Sequence, residues 1–126
     1  MKGHYLITGA SSGIGEALAR YAAAKNHRVT VIARRSDRLA QLCERYPNIY
    51  PETADISDQK QVIDAIDRAV SVQGSVDYAV LNAGIYQPVD SSSFDCKVFE
   101  RHMKVNYSGV LYCLEALIPS MVERRC

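Results

Sequence analysis

Residues 8–15 read Thr8-Gly9-Ala10-Ser11-Ser12-Gly13-Ile14-Gly15, a glycine-rich turn between a β-prone run, His4–Thr8, and an alanine-rich segment with helical spacing. Glycines in such a turn permit a tight bend, let a pyrophosphate approach the backbone and let the helix pack on the strand. Free amides at the positive end of the helix then face the anion. The same pattern is also typical of a tight turn that binds nothing, so the surrounding sequence must support the interpretation.

Strand and helix patterns alternate along the rest of the chain. β-prone runs cover residues 28–33, 49–54 and 76–81, and helical patterns cover residues 14–25, 36–46, 57–73 and roughly 95–118. Strands separated by helices indicate a parallel sheet with right-handed crossovers. In the doubly wound strand order 3-2-1-4 the third strand is an edge strand, which suits Pro51 because proline cannot donate to a ladder. The sequence therefore predicts an α/β fold with a Rossmann-type doubly wound parallel sheet.

Polar residues and glycine mark the predicted helix ends. Ser36 and Ser57 each precede an apolar helical pattern and are predicted N-caps. Gly74 follows the last periodic residue of the third helix, where glycine is favoured. The chain stops after the fourth helix with no returning strand, which leaves the apolar strand 76–81 as a second sheet edge. We therefore expect residues 1–126 to be one truncated Rossmann domain that lacks strands five to seven.

Composition excludes several classes of protein. The chain is 48% hydrophobic and 23% charged, and its net charge of +1 provides no field for gripping a nucleic acid. No run approaches the length of a membrane span, and cleavage of the N-terminus as a signal peptide would remove the glycine turn. The four cysteines and three histidines show no metal-binding spacing. We expect a cytoplasmic protein with no nucleic-acid partner, no membrane association and no metal site.

The end of the second strand carries Ala33-Arg34-Arg35, where a coenzyme with a free ribose favours an acidic residue. Two guanidinium groups at that position favour a ribose 2′-phosphate, and hence NADP(H) over NAD(H). The alternative is a solvated pair of surface arginines. The absence of an acid also argues against a methyltransferase on a similar sheet, and the missing Gly-Lys-Ser/Thr ending argues against a nucleotide triphosphatase loop.

Four short motifs occur along the chain in a fixed order. They are Thr8-Gly9-x-x-x-Gly13-x-Gly15, Ala54-Asp55-Ile56, Asn82-Ala83-Gly84 and Asn106-x-x-Gly109. Through these four motifs, taken in order, the chain resembles the short-chain dehydrogenases/reductases in their common single-domain branch. The resemblance covers the whole chain but only about the first half of a typical member. It implies that residues 1–126 are the N-terminal part of an NAD(P)-binding Rossmann domain.

The resemblance also implies roles for individual residues. Asp55 hydrogen-bonds the adenine amine, Ile56 packs on the adenine ring, and residues 82–84 run along the coenzyme and brace the sheet. The family often places a basic residue in the glycine turn, and here that position is Ser12, so a preference for NADP(H) depends on the two arginines alone. The predicted coenzyme-binding residues are Gly9, Ser11, Ser12, Gly13, Ile14, Gly15, Arg34, Arg35, Asp55, Ile56, Asn82, Ala83 and Gly84.

Asn106 is the predicted catalytic residue within this chain. It is the one polar member of a helical stripe of apolar residues: Phe99, Met103, Val110, Leu114, Leu117 and Met121. A buried amide without partners costs roughly 1–3 kcal/mol, so this side chain needs a function or a local partner. One reading is a core asparagine tied to nearby backbone. The family reading is that it holds a water that links a catalytic lysine to a proton relay.

The remaining catalytic group of the family is a serine followed by Tyr-x-x-x-Lys, all after strand five. The chain holds one match, Tyr21-Ala22-Ala23-Ala24-Lys25, but it lies in the first helix, where Tyr21 is expected to pack against the sheet. We interpret this match as a coincidence. The chain alone is therefore expected to lack catalytic Ser, Tyr and Lys and to be inactive.

The leading functional hypothesis is an NADP(H)-dependent oxidoreductase, of which this chain is a fragment. The intact enzyme would transfer hydride between nicotinamide and a small-molecule carbonyl or secondary alcohol, and would form a homo-oligomer. NAD(H) is the less favoured coenzyme. The alternative is a non-catalytic nucleotide-binding or interaction module without a catalytic half.

Overall fold

The computed structural model describes residues 3–126, in which four strands alternate with helices. The strands are β1 (His4–Thr8), β2 (Arg28–Ala33), β3 (Ile49–Thr53) and β4 (Tyr78–Leu81). The helices are α1 (Gly13–Ala24), α2 (Ser36–Arg45), α3 (Gln59–Gln73), α4 (Cys96–Met103) and α5 (Gly109–Arg124). A 3₁₀ turn at Ser91–Ser93 precedes α4, and a π turn at Lys104–Ser108 joins α4 to α5. None of the helices described is both long and apolar enough to cross a membrane.

All four strands are parallel and lie in the order β3-β2-β1-β4, which confirms the predicted doubly wound sheet. Pro51 pairs with Val31 on the edge strand β3, so its missing N–H disturbs no inner ladder. β1 and β2 match their predicted bounds, β3 ends one residue earlier, and β4 begins two residues later, at Tyr78.

Successive residues of the inner strands face opposite layers of the core. On one face Ile7 packs in a cluster that includes residues of α1 and α2. On the other face Leu6 and Ile32 pack in a cluster that includes residues of α3 and α5. Burial of an aliphatic side chain of this size contributes about 1.5–3 kcal/mol, so both faces of the sheet stabilise the fold. The near-continuous apolar runs of β1 and β2 follow from this two-sided burial.

Helix α1 packs on the sheet through small residues. Ala19, Ala22 and Ala23 are buried against the strands, while the ring of Tyr21 is 65% exposed. The prediction that Tyr21 packs against the sheet is therefore wrong. The reason is angular: Tyr21 lies about 100° around the helix from Ala22, which takes the inward position.

Two predicted caps differ by one residue from those observed. Asp58, not Ser57, caps α3, because its side chain accepts the N–H of Gln61 at 3.0 Å. The side chain of Ser57 is instead turned towards Asp55, whose Oδ1 accepts both the N–H and the hydroxyl of Ser57. Ser36 is the first residue inside α2 rather than its cap, which is Arg35. Gly74 ends α3 with a φ of 82°, as expected for glycine after a helix.

The predicted long helix is interrupted by the π turn and continues through Pro119 to Arg124. A π turn holds one residue more than an α turn, so it rotates the face of the helix that follows. Gly109, Cys113 and Leu117 are buried in α5, whereas Phe99 and Met103 of α4 are exposed. The predicted single apolar stripe is therefore wrong for Phe99 and Met103, because it assumed an uninterrupted α-helical repeat, whereas its members Leu117 and Met121 do pack in the core. Burial raises the pKa of the Cys113 thiol to about 11.

A buried histidine at the start of β1 was not singled out from the sequence. The ring of His4 donates from Nδ1 to the carbonyl of Gly74 (2.9 Å), since a carbonyl only accepts, and accepts at Nε2 from the hydroxyl of Thr30 (2.8 Å). Burial lowers the pKa of His4 from its ordinary value, although the bond to Gly74 opposes this effect. The ring therefore ties β1, β2 and the end of α3 together as a neutral group.

Candidate functional site

The carboxyl ends of all four strands meet at one edge of the sheet, where the loops that follow them enclose a cleft of about 250 Å³. We call it the sheet-edge cleft. Ten of the thirteen predicted coenzyme-binding residues line it; Gly13, Ile14 and Gly15 do not. The lining residues are Gly9, Ser11, Ser12, Ile32, Ala33, Arg34, Arg35, Ala54, Asp55, Ile56, Asn82, Ala83, Gly84, Ile85 and Val105.

The turn after β1 needs glycine at two positions for its backbone conformation. Gly9 and Gly13 have φ values of 68° and 59°, in the left-handed region that side chains disfavour. A Cβ on Gly9 would also lie 2.8 Å from the Cα of Ala83, which is closer than real contacts allow. A Cβ on Gly13 would meet no atom within 4 Å. Gly9 thus holds the turn against the loop after β4, while Gly13 leaves an open approach to the start of α1.

Gly15 lies in the first turn of α1 and lets this helix lie against the loops after β1 and β4. A Cβ there would overlap the carbonyl oxygen of Gly9 and lie 2.7 Å from Nδ2 of Asn82. Asn82 donates from Nδ2 to that carbonyl (3.4 Å), and the N–H of Ala83 donates to the hydroxyl of Thr8 (3.0 Å). These bonds join the loops after β1 and β4. Gly15 therefore supports the cleft without lining it.

The start of α1 has unused hydrogen-bonding groups. Ser12 is the N-cap residue, with extended backbone, yet its side chain makes no capping bond to the helix. The first N–H groups of an α-helix lack partners within the helix and carry its positive partial charge. The side chain of Ile14 is 79% exposed beside them. The arrangement suits an anion at this point, with the Ser12 hydroxyl free to contribute.

Arg34 and Arg35 lie after β2, at the mouth of the cleft, and both are exposed. Nη2 of Arg35 donates to Oγ of Ser11 at 3.5 Å, so the loops after β1 and β2 meet there. Of the described residues that line the cleft, Asp55 alone carries a carboxylate. The region around Arg34 and Arg35 therefore carries an excess of positive charge.

Asp55 is held by the residue two positions after it. Its Oδ1 accepts the hydroxyl of Ser57 at 2.7 Å and the N–H of Ser57 at 2.9 Å. The hydroxyl bond and then the amide bond lower the pKa of Asp55, with a smaller lowering from the charge of Arg34, while partial burial opposes them. Because its pKa is lowered, the carboxylate is ionised at neutral pH. The two bonds to Oδ1 fix its orientation.

Ile56 is positioned by a glycine of α5. A Cβ on Gly109 would lie 3.0 Å from the carbonyl oxygen of Ile56 and 3.1 Å from its side chain. Glycine therefore lets α5 pass close to the loop after β3. The sequence motif Asn106-x-x-Gly109 contained this residue, but only the packing shows what its lack of a side chain provides.

Asn106 braces the loop after β4 from the π turn. Its Oδ1 accepts the N–H of Ile85 at 2.7 Å, and its Nδ2 donates to the carbonyl of the same residue at 2.8 Å. Asn106 is exposed rather than buried, so the predicted buried position is wrong; the π turn moves it off the packed face. It lies beside the cleft, whose wall includes its neighbour Val105. The geometry matches the reading of an asparagine tied to nearby backbone.

The Tyr21–Lys25 pair lies on the exposed face of α1, and neither residue lines the cleft. Nζ of Lys25 is 5.7 Å from the centre of the Tyr21 ring, a cation–π distance. In residues 3–126, no group of three or more His, Cys, Asp or Glu side chains is placed to hold a metal ion.

The sequence of this chain matches a known protein family and known relatives along most of its length. The family model described as short chain dehydrogenase matches residues 4–126. A dehydrogenase/reductase SDR family protein 7-like of Drosophila melanogaster is 35% identical, in an alignment that covers 94% of this chain and 39% of that protein.

Two solved structures are similar over most of this chain. An alcohol dehydrogenase from the archaeon Thermococcus sibiricus, complexed with 5-hydroxy-NADP, has a TM-score of 0.90 and 28% identity, with 96% of this chain and 54% of that chain covered. A serine dehydrogenase in its closed form, complexed with NADP+, has a TM-score of 0.90 and 27% identity, with 96% and 50% covered. The chain thus spans 39% to 54% of the length of these three relatives. With a family model matched along nearly all of its residues, the chain belongs to the short-chain dehydrogenase family.

Proposed function

We propose that residues 1–126 supply the adenosine and diphosphate half of an NADP(H) site in an oxidoreductase that acts on a small-molecule carbonyl or secondary alcohol. The observation that carries the proposal is the placement of Arg34 and Arg35 at the mouth of a glycine-lined cleft, with no carboxylate at the end of β2. When bound, NADP(H) supplies hydride chemistry at its nicotinamide ring.

The residues present fit the diphosphate of such a coenzyme. The left-handed turn at Gly9 and the open space at Gly13 give a backbone cradle that side chains would fill or strain. The unpaired N–H groups at the start of α1 favour a negative charge there, as does the hydroxyl of Ser12. We assign diphosphate binding to this turn, with Ser11, Ile14 and Gly15 as its supporting members.

The loop after β3 fits the adenine. Asp55 is ionised and fixed by Ser57, so its carboxylate can accept from an amine. Ile56 offers an apolar side chain beside it, held in place by Gly109. We assign adenine recognition to these two residues, and we assign Asn82, Ala83 and Gly84 to the wall along which the coenzyme runs.

The two arginines fit a ribose 2′-phosphate. Arginine presents several donors in a planar fork, and a phosphate dianion accepts from more than one of them. Nη2 of Arg35 donates to Oγ of Ser11, so this side chain is in reach of a phosphate bound between the loops after β1 and β2, and Arg34 lines the same cleft. The NADP ligands of the two solved relatives support the choice of the phosphorylated coenzyme.

The proton donor of the reaction is proposed to lie in sequence beyond residue 126. In the family this group is a tyrosine whose pKa is lowered by a lysine four residues later, with a serine to orient the substrate oxygen. We propose that Asn106, which braces the loop at Ile85, holds a water in that relay in the full-length protein. The exposed apolar residues of α4 and α5, such as Phe99 and Leu111, support the further proposal of a homo-oligomer.

Calorimetric titration of the full-length protein tests the proposal. Replacing Arg34 and Arg35 by alanine is expected to weaken NADPH binding about a hundredfold, or about tenfold for each charge-assisted contact, and to leave NADH binding nearly unchanged. Lys97→Ala, which removes an exposed charge from α4, is the control and should change neither affinity. Equal losses for both coenzymes would contradict the 2′-phosphate assignment. No heat with either coenzyme would overturn the proposed function.

Residues 1–126 expressed alone are expected to show no dehydrogenase turnover with NADPH, because the proposed proton donor lies outside them. A carbonyl reduction assay monitored by NADPH absorbance measures this. Turnover that is lost in Tyr21→Phe would show that the pair in α1 is catalytic after all.

A further inference from the structure

A second cavity lies between α1 and α2, on the other side of Ser11 from the sheet-edge cleft. Its volume is about 400 Å³. We call it the cationic groove, and its lining residues are Ser11, Glu16, Arg20, Arg38, Gln41, Leu42, Arg45 and Tyr46. Leu42 is buried and forms the apolar floor, and the arginines are exposed around it.

The groove is lined by three guanidinium groups and one carboxylate, so its side chains carry a net positive charge. Arg20 uses that carboxylate, with Nη1 4.0 Å from Oε1 of Glu16, and donates from Nε to the hydroxyl of Tyr46 at 3.4 Å. Within residues 3–126, Arg38 and Arg45 take part in no ion pair. The whole chain has a net charge of only +1, so this excess is local and does not reflect a basic protein.

The position of Arg38 is unfavourable for the helix that carries it. Arg38 is the third residue of α2, and a cation near a helix N-terminus faces the positive end of the dipole. Asp37 is the neighbour that would suit the dipole, but it lies about 100° around the helix and does not line the groove. Arg38 and the start of α2 therefore add their positive potentials at one end of the groove.

The groove offers donors with few acceptors. Guanidinium groups, the hydroxyls of Ser11 and Tyr46 and the amide of Gln41 can all donate, and Glu16 is already used by Arg20. Planar guanidiniums around an open concavity suit the tetrahedral oxygens of a phosphate group. We propose that the cationic groove is a phosphate-binding site, separate from the sheet-edge cleft, that takes inorganic phosphate or a phosphomonoester group.

Ser11 couples the two sites. It lines both cavities, and on the cleft side it accepts from Arg35, which the proposed function assigns to the 2′-phosphate. Two phosphate dianions on opposite sides of Ser11 repel each other. Phosphate in the groove therefore weakens NADPH more than NADH; this coupling rests on the proposed function, whereas phosphate binding itself does not.

Equilibrium dialysis of the full-length protein with radiolabelled inorganic phosphate, at constant ionic strength in chloride, measures the site. The expected Kd is about 1 mM, as for a small ion held by a few exposed charges. The double variant Arg38→Gln/Arg45→Gln is expected to weaken phosphate binding about tenfold, since each exposed ion pair is worth little alone. Thermal unfolding of the double variant should stay close to that of the wild type, because neither side chain is paired or buried and the two charges lie at opposite ends of the α2 dipole.

Two controls separate the groove from the cleft. Lys97→Gln removes an exposed charge elsewhere and should leave phosphate binding unchanged. Arg34→Gln alters the cleft and should leave the groove-dependent binding intact. Wild-type phosphate binding that survives in the double variant, or that disappears in Arg34→Gln, overturns the groove site.

The coupling is read from the affinities of NADPH and NADH with and without saturating phosphate. NADPH is expected to lose about threefold more affinity than NADH, which is the effect of two screened charges near a surface. The extra loss for NADPH should disappear in Arg38→Gln/Arg45→Gln, whereas direct competition of phosphate at Arg34 and Arg35 would persist in that variant. Equal losses in the wild type, or an extra loss that persists in the double variant, overturn the coupling. If neither coenzyme binds, the proposed function fails, while the dialysis result still decides whether the groove binds phosphate.

Discussion

The two ends of the sheet use polar residues in opposite ways. At the amino ends of the strands, the His4 ring bonds both Gly74 and Thr30, and Asp77 accepts from the His4 N–H and pairs with Arg124. At the carboxyl ends, Ser12 caps no helix N–H and Arg34 takes part in no ion pair within the described residues. These polar groups at the first end satisfy one another, although Nδ1 of His27 and Nε of Arg28 are buried there without a partner in the described residues. Those at the second end keep unused capacity, which marks it as the binding end.

The largest expected effect comes from Gly15→Ala, at the binding end. The new Cβ would overlap the Gly9 carbonyl and crowd Asn82, so α1 and the loops after β1 and β4 must separate. Overpacking of this kind costs about 1–3 kcal/mol of the free energy of unfolding, and coenzyme binding should fall with it. Urea denaturation and NADPH titration of the full-length protein measure both.

Gly84→Ala is the matched control for that variant. A Cβ on Gly84 would lie 3.4 Å from Oδ1 of Asn106, an ordinary contact, and its φ is not left-handed. Its unfolding free energy should stay close to that of the wild type. An equal loss in both variants would show that the close approach at Gly15 is not what supports the cleft.

His4→Leu tests the closed end and should have the next largest effect. The substitution leaves the Gly74 carbonyl and the Thr30 hydroxyl without their partner in a buried setting, which costs about 2 kcal/mol. NADPH affinity should not change, because the ring lies at the opposite end of the sheet. Adding Thr30→Val removes one unpaired group and should restore part of the loss in urea denaturation.

The same histidine predicts a dependence on pH. Its pKa is lowered in the folded protein, so below its ordinary value of 6.5 the unfolded chain binds more protons than the folded one. The free energy of unfolding should therefore fall as pH decreases through about 6.5, and the fall should be weaker in His4→Leu. A parallel decline in both proteins would assign the effect to other groups.

Asn106→Ala should have the smallest effect on global stability. It removes two bonds to the backbone of Ile85 at an exposed site, worth about 1 kcal/mol together. The change should be local, so hydrogen exchange of the Ile85 amide is expected to accelerate while the amides of β1 keep their protection. Unchanged exchange at Ile85 would show that the loop does not depend on this side chain.

Local sequence was enough for the sheet, but the cleft needed the family resemblance as well. The apolar runs 4–8 and 28–33 match β1 and β2 because both faces of those strands are buried. The glycine turn and the two arginines were identified from their places after the first two strands, whereas Asp55, Ile56 and residues 82–84 came from the resemblance to the short-chain dehydrogenases/reductases.

What the sequence did not show depends on contacts between distant segments. The sequence alone does not distinguish Ser57 from Asp58 as the cap, and in the structure Asp58 accepts the N–H of Gln61 while Ser57 is turned towards Asp55. The π turn places Asn106 against Ile85, which lies 21 residues earlier. His4 appeared to be an ordinary strand residue because its ring partners lie 26 and 70 residues away. The cationic groove exists only because α1 and α2 lie side by side on the sheet.

The shared wall at Ser11 limits how this surface can change over time. A bulkier residue there would narrow two neighbouring spaces at once, and an acidic residue would reverse the local field in both. A substitution at a residue that lines one cavity changes that cavity alone, whereas a substitution at Ser11 changes both.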